Sequence, residues 1–377
     1  MFENIPQSII SFIITGLFIW RFIPIAKNFG LVDKPGGHKA HLGSIPVIGG
    51  IGMFIGISFA FILLNIPWAQ VESILIAGLL VLVVGSFDDK YFLSFKVRFI
   101  AQISAALIVI TGDSTLLLHL GRLTSESTFY LGDWTIPLTV FAIVGVINAV
   151  NMSDGLDGLA GGLSIVTLSG IVILMSLSGT SDAFILVPLI FIAAISAFLM
   201  FNLRTPWLRE AKIFMGNGGS MLLGVMLAWL LIKLSQGQTA TFSPVIALWI
   251  FAIPLFDTVT IMVRRVLKGK SPFAPDREHL HHLFLSLGFS VGKSVSWVLG
   301  IATLFASIGI LSAYFSIPEH LMFFAFLGVF TFYFWSMNRA WAIISTEKAT
   351  IQQTTKSITG GTDNSIITPL KRERYKD

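Results

Sequence analysis

The sequence contains no cysteine and few charged residues. Of its 377 residues, 12% are Asp, Glu, Lys or Arg, whereas 54% are hydrophobic. The absence of cysteine excludes disulfides and thiolate metal sites, so any metal must be held by oxygen or nitrogen ligands. The scarcity of charge, together with a mean hydropathy of +0.83, excludes a water-soluble domain of this size and predicts a membrane protein.

Long apolar runs recur along the whole chain. They are about 20 residues long, as transmembrane helices are, and not the short alternating strands of a barrel. We therefore predict an all-α polytopic membrane fold with eleven spans. The predicted spans are residues 6–26, 45–65, 71–87, 97–112, 134–151, 159–178, 183–202, 216–233, 243–263, 293–315 and 319–337. The first run lacks a basic leader and a cleavage site, so we expect a retained anchor.

The Lys and Arg residues predict the orientation. With the N-terminus in the periplasm, 22 of the 25 Lys and Arg residues fall on cytoplasmic connections or on the C-terminal tail. The exceptions are Arg21, Arg122 and Lys233. Because basic residues concentrate on the cytoplasmic side, we predict a periplasmic N-terminus and a cytoplasmic C-terminus. The net charge of +5 then faces lipid head groups and phosphates, and we expect no nucleic-acid partner.

The chain divides into one integral-membrane domain and a tail. We predict that the membrane domain covers residues 1–344 and that residues 345–377 form a mobile cytoplasmic tail. The tail is rich in Ser, Thr, Gly and charge and has no helical periodicity. No inverted repeat of the transporter kind is visible in the membrane domain.

Four polar clusters lie on connections that the charge distribution assigns to the cytoplasm, and the first is VGSFDDKYFLSFKVR. Asp88 and Asp89 end a span, and Lys90, Lys96 and Arg98 follow. Two adjacent carboxylates at membrane depth repel each other unless a cation or a proton intervenes. A role as base or metal ligand is therefore favoured over a simple polar helix end.

The second cluster is NAVNMSDGLDGLAGG, in which Asn148, Asn151, Asp154 and Asp157 are spaced three residues apart. Neighbours at this spacing share a helix face, so we predict a polar wall at the end of a span. The interspersed glycines would let the backbone approach a ligand closely. The alternative is a helix break with Asp caps.

The third cluster is FMGNGGS, residues 214–220, which precedes a span. A glycine-rich segment at a helix N-terminus suits a phosphate or a metal-bound diphosphate, because free N–H groups point at the anion. A tight turn at the membrane entry explains the same glycines equally well.

The fourth cluster is RRVLKGKSPFAPDREHLHHLF. Its basic and imidazole side chains are Arg264, Arg265, Lys268, Lys270, Arg277, His279, His281 and His282. The zinc spacing H-E-x-x-H is absent, and on a helix His281 would point away from His279 and His282. Donors to phosphate and sugar oxygens fit better. With oxygen ligands for magnesium in the other clusters, the four predict phosphoryl transfer at the cytoplasmic membrane surface.

In this order, the four segments resemble the polyprenyl-phosphate N-acetylhexosamine-1-phosphate transferases of glycosyltransferase family 4. FDDKYFLS resembles the family's DDxxxxS element, NAVNMSDGLDGLAGG its NxxNxxDGxDGL element, and FMGNGGS its MGDxGS element. PDREHLHH is similar to the terminal His element of the branch that uses UDP-N-acetylglucosamine. The resemblance covers nearly the whole chain.

The resemblance implies a reaction. N-acetylglucosamine-1-phosphate would pass from UDP-N-acetylglucosamine to undecaprenyl phosphate with release of UMP, which starts O-antigen or enterobacterial common antigen synthesis. The expected place is the bacterial inner membrane, with the active site facing the cytoplasm and homodimerisation left open. Another UDP-N-acetylhexosamine is the alternative donor. An ion-coupled secondary transporter and an intramembrane aspartyl protease are the alternatives from other classes.

The resemblance also implies residue roles. Asp88 would activate the lipid phosphate, with Asp89 supporting the same pocket. Mg²⁺, or Mn²⁺ in its place, would be bound by Asn151 and Asn217. The nucleotide side would be lined by Asp154 and Asp157. Diphosphate and sugar would be held by Arg265, Arg277, His279, His281 and His282.

Asn217 departs from the family pattern, in which this position of MGDxGS is an Asp. An amide oxygen still binds magnesium but contributes no charge, so we expect a weaker metal site that depends on the substrate phosphates. Direct attack by the lipid phosphate is the expected route, and a covalent phospho-enzyme intermediate is the alternative.

Overall fold

The computed structural model describes residues 5–33, 44–179, 182–238, 240–272 and 278–358. Their secondary structure is almost entirely helical, so the predicted all-α class is confirmed. The helices are α1 (Ile5–Asn28), α2 (Gly49–Leu63), α3 (Trp68–Tyr91), α4 (Phe95–Asp113), α5 (Thr135–Ser153), α6 (Leu159–Leu177), α7 (Asp182–Asn202), α8 (Gly216–Lys233), α9 (Pro244–Ile250), α10 (Ala252–Leu267), α11 (Leu280–Ser286), α12 (Val291–Tyr314) and α13 (Glu319–Ile358).

Each of the predicted spans contains a helix, which confirms a polytopic membrane protein. Within the described ranges, nine helices are long and apolar enough to cross a membrane, and the bent pair α9 and α10 makes a tenth. The remaining predicted span holds α2, whose 15 residues rise about 22 Å, less than a hydrocarbon core of about 30 Å. The prediction of eleven spans is therefore not confirmed as a count, since α2 is shorter than a span requires.

The predicted span over residues 243–263 is not one straight helix. Between α9 and α10 the axis turns by 83° at Phe251. Pro254 lies in the first turn of α10 and has no N–H to donate to the carbonyl of Ile250. That carbonyl instead accepts from Oγ1 of Thr167 at 3.2 Å. The hydroxyl of α6 thus satisfies a backbone group that the break exposes.

Helix α13 extends into the predicted tail. It continues to Ile358, so residues 345–358, in which the sequence shows no helical periodicity, are helical. This segment contains the helix formers Glu, Lys, Ala and Gln, and extending an existing helix avoids the cost of nucleation. Residues 359–377 lie outside the described residues, and the mobility of the tail stays a prediction.

Helix α8 lies at the centre of the bundle, with residues 218–232 all buried. A Cβ atom on Gly85 of α3 would collide with the backbone of Gly218, and one on Gly224 would meet the backbone of Ile147 in α5 at 2.5 Å. Because glycine has no side chain, these positions let the three helices approach closely. The C-terminal ends of α3 and α5 are thereby held against the N-terminal end of α8.

The strands β1 (Val32–Asp33) and β2 (Ile45–Pro46) pair antiparallel between α1 and α2. The N–H of Phe214 donates to the carbonyl of Pro46 at 2.8 Å, and the N–H of Gly49 donates to the carbonyl of Phe214 at 3.0 Å. These bonds hold the connection between α1 and α2 against the turn that precedes α8. The two connections therefore meet at one end of the bundle.

Candidate active site

Residues from three of the polar clusters form one hydrogen-bonded group. Nδ2 of Asn217 donates to Oδ2 of Asp88 at 2.8 Å, and Oδ1 of Asn217 accepts from Nδ2 of Asn151 at 3.0 Å. Nδ2 of Asn151 also donates to Oγ of Ser220 at 2.8 Å. These side chains belong to the end of α3, the end of α5 and the start of α8. The close packing of the three helices therefore brings together residues that are up to 129 positions apart.

An arginine completes the surroundings of Asp88. Asp88 is 5% exposed, and Nη1 of Arg98 donates to its Oδ2 at 3.0 Å. Helix α3 ends at Tyr91, its C-cap Phe92 turns the chain with a positive φ of 54°, and α4 begins at Phe95. Arg98 thus returns to the level of Asp88 in the first turn of α4. Its Nε is buried and has no hydrogen-bond partner among the described residues, so a cationic donor remains for an anion.

Asp89 caps helix α8. Its Oδ1 accepts from the N–H of Asn217 at 2.9 Å, and its Oδ2 lies 3.5 Å from the N of Gly218. A carboxylate at a helix N-terminus satisfies free N–H groups and is stabilised by the helix dipole. Gly216 has φ +77°, and a Cβ there would lie 2.5 Å from Oδ2 of Asp89. Glycine is therefore required for this cap, which orients the neighbouring Asp88.

The second cluster does not form a single helix face. Helix α5 ends at Ser153, so Asn148 and Asn151 are helical, Asp154 is the C-cap and Asp157 lies in the following loop. Asn148 donates from Nδ2 to Oε1 of Gln102 at 2.8 Å, one turn deeper than Asn151. The prediction of one polar wall is wrong in this respect. The reason is that the break after α5 redirects the two Asp side chains.

The two Asp residues after α5 have different partners. Oδ2 of Asp157 accepts from Nε of Arg204 at 2.6 Å, with Asp157 11% and Arg204 37% exposed. Asp154 keeps contact with solvent, yet the protein around it disfavours its charged form and raises its pKa to about 7, with further repulsion from Asp89 and Asp157. Asp154 therefore lies near carboxylates of both the first and the second cluster.

The N-cap and first residues of α11, residues 279–282 (the His segment), contact the second cluster through His281. His279 precedes α11 as its N-cap, and its ring stacks on that of His281 with centroids 5.3 Å apart at 12°. A Cβ on Gly155 would collide with Nε2 of His281. The prediction that His281 points away from His279 is wrong, because His279 is not helical. Burial lowers the pKa of His281 to about 3, with the adjacent His282 adding to the effect, so this imidazole is uncharged at neutral pH.

The arginines of the fourth cluster hold the segment around them. Nη2 of Arg264 lies 2.5 Å from Oε2 of Glu278, and Nη1 of Arg265 donates to the carbonyl of Pro272 at 2.6 Å. Nη1 of Arg264 is buried and has no hydrogen-bond partner among the described residues. The predicted substrate-binding Arg277 lies outside the described residues. Arg264 is therefore a further buried guanidinium in this segment, and substrate binding by Arg265 stays a prediction.

The oxygen donors of the site fit a magnesium ion that shares its ligands with a substrate. Among the described residues, no group of three or more His, Asp or Glu side chains is placed to hold a metal ion. The donors that do meet are the Asp88 carboxylate, the Asn151 and Asn217 amides and the Ser220 hydroxyl. Mg²⁺ accepts such hard ligands and completes its shell with phosphates and water.

Sequence reasoning missed Asp257 and gave Arg98 and Arg204 no role. Asp257 lies in α10 within the apolar run AIPLFDTVTIMV, and its Oδ2 lies 2.7 Å from Nδ1 of His279. An intramembrane carboxylate is itself a signal of function and would have identified this residue. No signal in the sequence pairs Arg98 with Asp88 or Arg204 with Asp157, because both contacts depend on tertiary packing.

A helical membrane bundle with carboxylates, amides and a guanidinium at one end defines a polytopic membrane protein whose site suits phosphorylated substrates. Residues 71–235 match the model of glycosyl transferase family 4. The chain is 40% identical to the undecaprenyl-phosphate alpha-N-acetylglucosaminyl 1-phosphate transferase of Escherichia coli K12 over 335 residues, 88% of this chain and 90% of that protein. The protein of the same name in Salmonella typhi is 38% identical over 90% of this chain and 92% of its own length. The one in Haemophilus influenzae is 38% identical over 85% of this chain and 90% of its own length. The chain belongs to glycosyl transferase family 4.

Proposed function

We propose that the chain transfers N-acetylglucosamine-1-phosphate from UDP-N-acetylglucosamine to undecaprenyl phosphate, forming undecaprenyl-diphospho-N-acetylglucosamine and UMP. The observation that carries the proposal is the group formed by Asp88, Asn217 and Asn151, with the Arg98 guanidinium beside it. Relatives that bear the name of this activity match the chain over most of its length. The lipid-linked product would then enter O-antigen or enterobacterial common antigen synthesis.

The acceptor side centres on Asp88 and Arg98. An oxygen of the lipid phosphate attacks the sugar-proximal phosphorus, a new P–O bond forms, and the bond to the UMP oxygen breaks. Two anions must approach, so catalysis depends on charge neutralisation and alignment. Arg98 supplies the positive charge, and its buried Nε is a free donor for a phosphate oxygen. Asp88 accepts any proton that remains on the attacking phosphate.

The donor side comprises the end of α5 and the His segment. Asp154 and Asp157 line the nucleotide part, where Arg204 holds Asp157 by its ion pair at 2.6 Å. The imidazoles of His279, His281 and His282, together with Arg265 and Arg277, bind diphosphate and sugar. Since His281 is uncharged, it contributes a hydrogen bond and no positive charge.

Magnesium is the proposed cofactor, with manganese as an alternative. Asn151 and Asn217 would hold it beside Asp88, and the bound ion would neutralise charge on the donor diphosphate. Oδ1 of Asn217 already accepts a hydrogen bond from Asn151, and the neutral amide adds no charge to the metal. The protein part of the site is therefore weak, and substrate phosphates contribute most of the negative charge.

The basic residues support an active site on the cytoplasmic face of the bacterial inner membrane. Arg98, Arg204 and Arg264 lie at or beside the site end of the bundle, whereas the opposite end carries Arg122 and Lys233. Positive charge marks the cytoplasmic side of a membrane protein. A transporter site is expected near the bilayer midplane, whereas these polar groups lie at helix ends.

Release of UMP tests the proposal. Purified protein is incubated with undecaprenyl phosphate, one UDP-sugar at a time, and either Mg²⁺ or a chelator. We expect UMP and a lipid-linked sugar with UDP-N-acetylglucosamine, and a loss of at least about 100-fold in Asp88→Asn. The matched control is Asp113→Asn, a carboxylate at the other end of the bundle, which keeps the activity. A preference for another UDP-N-acetylhexosamine would overturn the donor, and full turnover by Asp88→Asn would overturn the role of Asp88.

A further inference from the structure

A buried carboxylate in α10 organises the start of the His segment. Oδ2 of Asp257 lies 2.7 Å from Nδ1 of His279, and Oδ1 accepts from the N–H of Leu280 at 2.9 Å and from the hydroxyl of Tyr333 at 3.1 Å. Asp257 is 5% exposed and His279 6% exposed. Three donors from α11, from its N-cap and from α13 therefore converge on one carboxylate.

This arrangement determines which nitrogen of His279 carries a proton. An ionised carboxylate can only accept hydrogen bonds, so Nδ1 must donate to Asp257. In the neutral ring the other nitrogen, Nε2, is then the acceptor, and it is the atom left for contact beyond this pair. A carboxylate partner also fixes the orientation of the ring, as it does for catalytic and metal-binding histidines.

Two further contacts restrict the ring. His279 stacks on His281, and the ring of His281 contacts Gly155 in the loop after α5. The hydroxyl of Tyr333 prevents Asp257 from rotating away, because both carboxylate oxygens are then engaged. The position of His279 relative to the loop after α5, residues 154–158 (the nucleotide loop), is therefore set from α10, α13 and α11 together.

We propose that Asp257 and Tyr333 are positioning residues that hold His279 with its Nδ1 proton on Asp257 and its Nε2 available to the substrate. The proposal rests on the proposed function, since the substrate meant here is the phosphorylated donor. A purely structural alternative is that Asp257 serves only as a cap of α11 through the N–H of Leu280. That role requires the acceptor oxygen but does not depend on which nitrogen of His279 is protonated.

Asp257→Asn separates the two roles. The asparagine keeps an oxygen for the Leu280 N–H, but its amide group presents a donor to Nδ1 and favours the opposite tautomer. We expect kcat/KM to fall by about 10- to 100-fold, and Tyr333→Phe to cause a smaller loss. In a His279→Gln background, Asp257→Asn should cause little additional loss, because both changes remove the same interaction.

The ring nitrogens report the tautomer directly. In protein labelled with ¹⁵N-histidine, with His279→Gln used to assign the signal, we expect a protonated Nδ1 in the wild type and loss of that signature in Asp257→Asn. Asp113→Asn should leave it unchanged. The proposal would be overturned if His279 of the wild type were protonated on Nε2 alone. It would also be overturned if the losses in kcat/KM caused by Asp257→Asn and His279→Gln multiplied in the double variant. The NMR result needs no turnover, so failure of the proposed function would appear separately as absence of UMP release by the wild type.

Discussion

The Asn217 side chain donates a hydrogen bond from Nδ2 to Oδ2 of Asp88 at 2.8 Å, a contact that an ionised aspartate at position 217 could not make. The family pattern that this chain resembles has Asp at that position. In this chain the Asn217 amide is a neutral partner of Asp88. A carboxylate there would face Asp88 as an anion and would repel it unless a cation or a proton intervened.

Asn217→Asp should strengthen magnesium binding. The added carboxylate contributes charge to the metal and repels Asp88 when no metal is present. We expect the apparent magnesium affinity in UMP release to rise about tenfold, equivalent to about 1.4 kcal/mol, and activity in chelator to fall. Asn217→Ala, which removes the oxygen, should weaken magnesium binding, so that a higher magnesium concentration is needed for the same rate of UMP release. An unchanged magnesium affinity in Asn217→Asp would contradict this view of the site. Full activity of the wild type in the presence of chelator would contradict it as well.

Arg98→Lys should affect the lipid substrate more than the nucleotide. A guanidinium can bond Asp88 through Nη1 and still offer Nε, whereas an ammonium is a point charge without that fork. We expect the KM for undecaprenyl phosphate to rise about tenfold, with the KM for UDP-N-acetylglucosamine changed by less than about twofold. Lys96→Gln, which removes an exposed cation of the same connection, is the control. Equal increases in both KM values would argue against Arg98 as an acceptor-side residue.

Gly155→Ala should reduce turnover without unfolding the protein. The new Cβ would collide with the buried His281 ring, so the His segment must shift away from the nucleotide loop. Small displacements of this kind reduce kcat by about 10- to 100-fold. Gly145→Ala is the matched control, because Gly145 lies exposed in α5 and a Cβ added there would have no other atom within 4 Å. Full activity in Gly155→Ala would show that this contact is dispensable.

Asp113→Asn should reduce stability but not turnover per folded molecule. The Asp113 carboxylate accepts from Nζ of Lys233 at 2.6 Å, from Nε1 of Trp229 at 2.6 Å and from Oγ1 of Thr115 at 2.7 Å. Neutralising it leaves Lys233, 28% exposed, without its counter-charge. We expect a loss of about 2 kcal/mol, measured by thermal unfolding in detergent, and a partial recovery in the double variant with Lys233→Met. An Asp113→Asn variant that unfolds at the same temperature as the wild type would contradict this.

The same ion pair explains an exception to the charge pattern. Lys233 is one of three basic residues outside the predicted cytoplasmic connections, and Asp113 neutralises it at the end of α8. Arg122 lies on the same side, where its backbone N–H, and not its guanidinium, donates to Oε2 of Glu319 at 2.6 Å. A count of Lys and Arg cannot show that Asp113 neutralises Lys233, because the two residues are 120 positions apart.

The sequence by itself determined that this is a helical membrane protein and predicted that its polar clusters lie on connections of the same side. Both results follow from local properties, since apolar run length decides spanning and the parity of the spans decides the side. The packing of glycines at 85 and 218 decided that Asp88, Asn217 and Asn151 touch. Tertiary structure alone brought Asp257 to His279 and His281 to Gly155, because a helix break, an N-cap and ring stacking depend on neighbours distant in the chain.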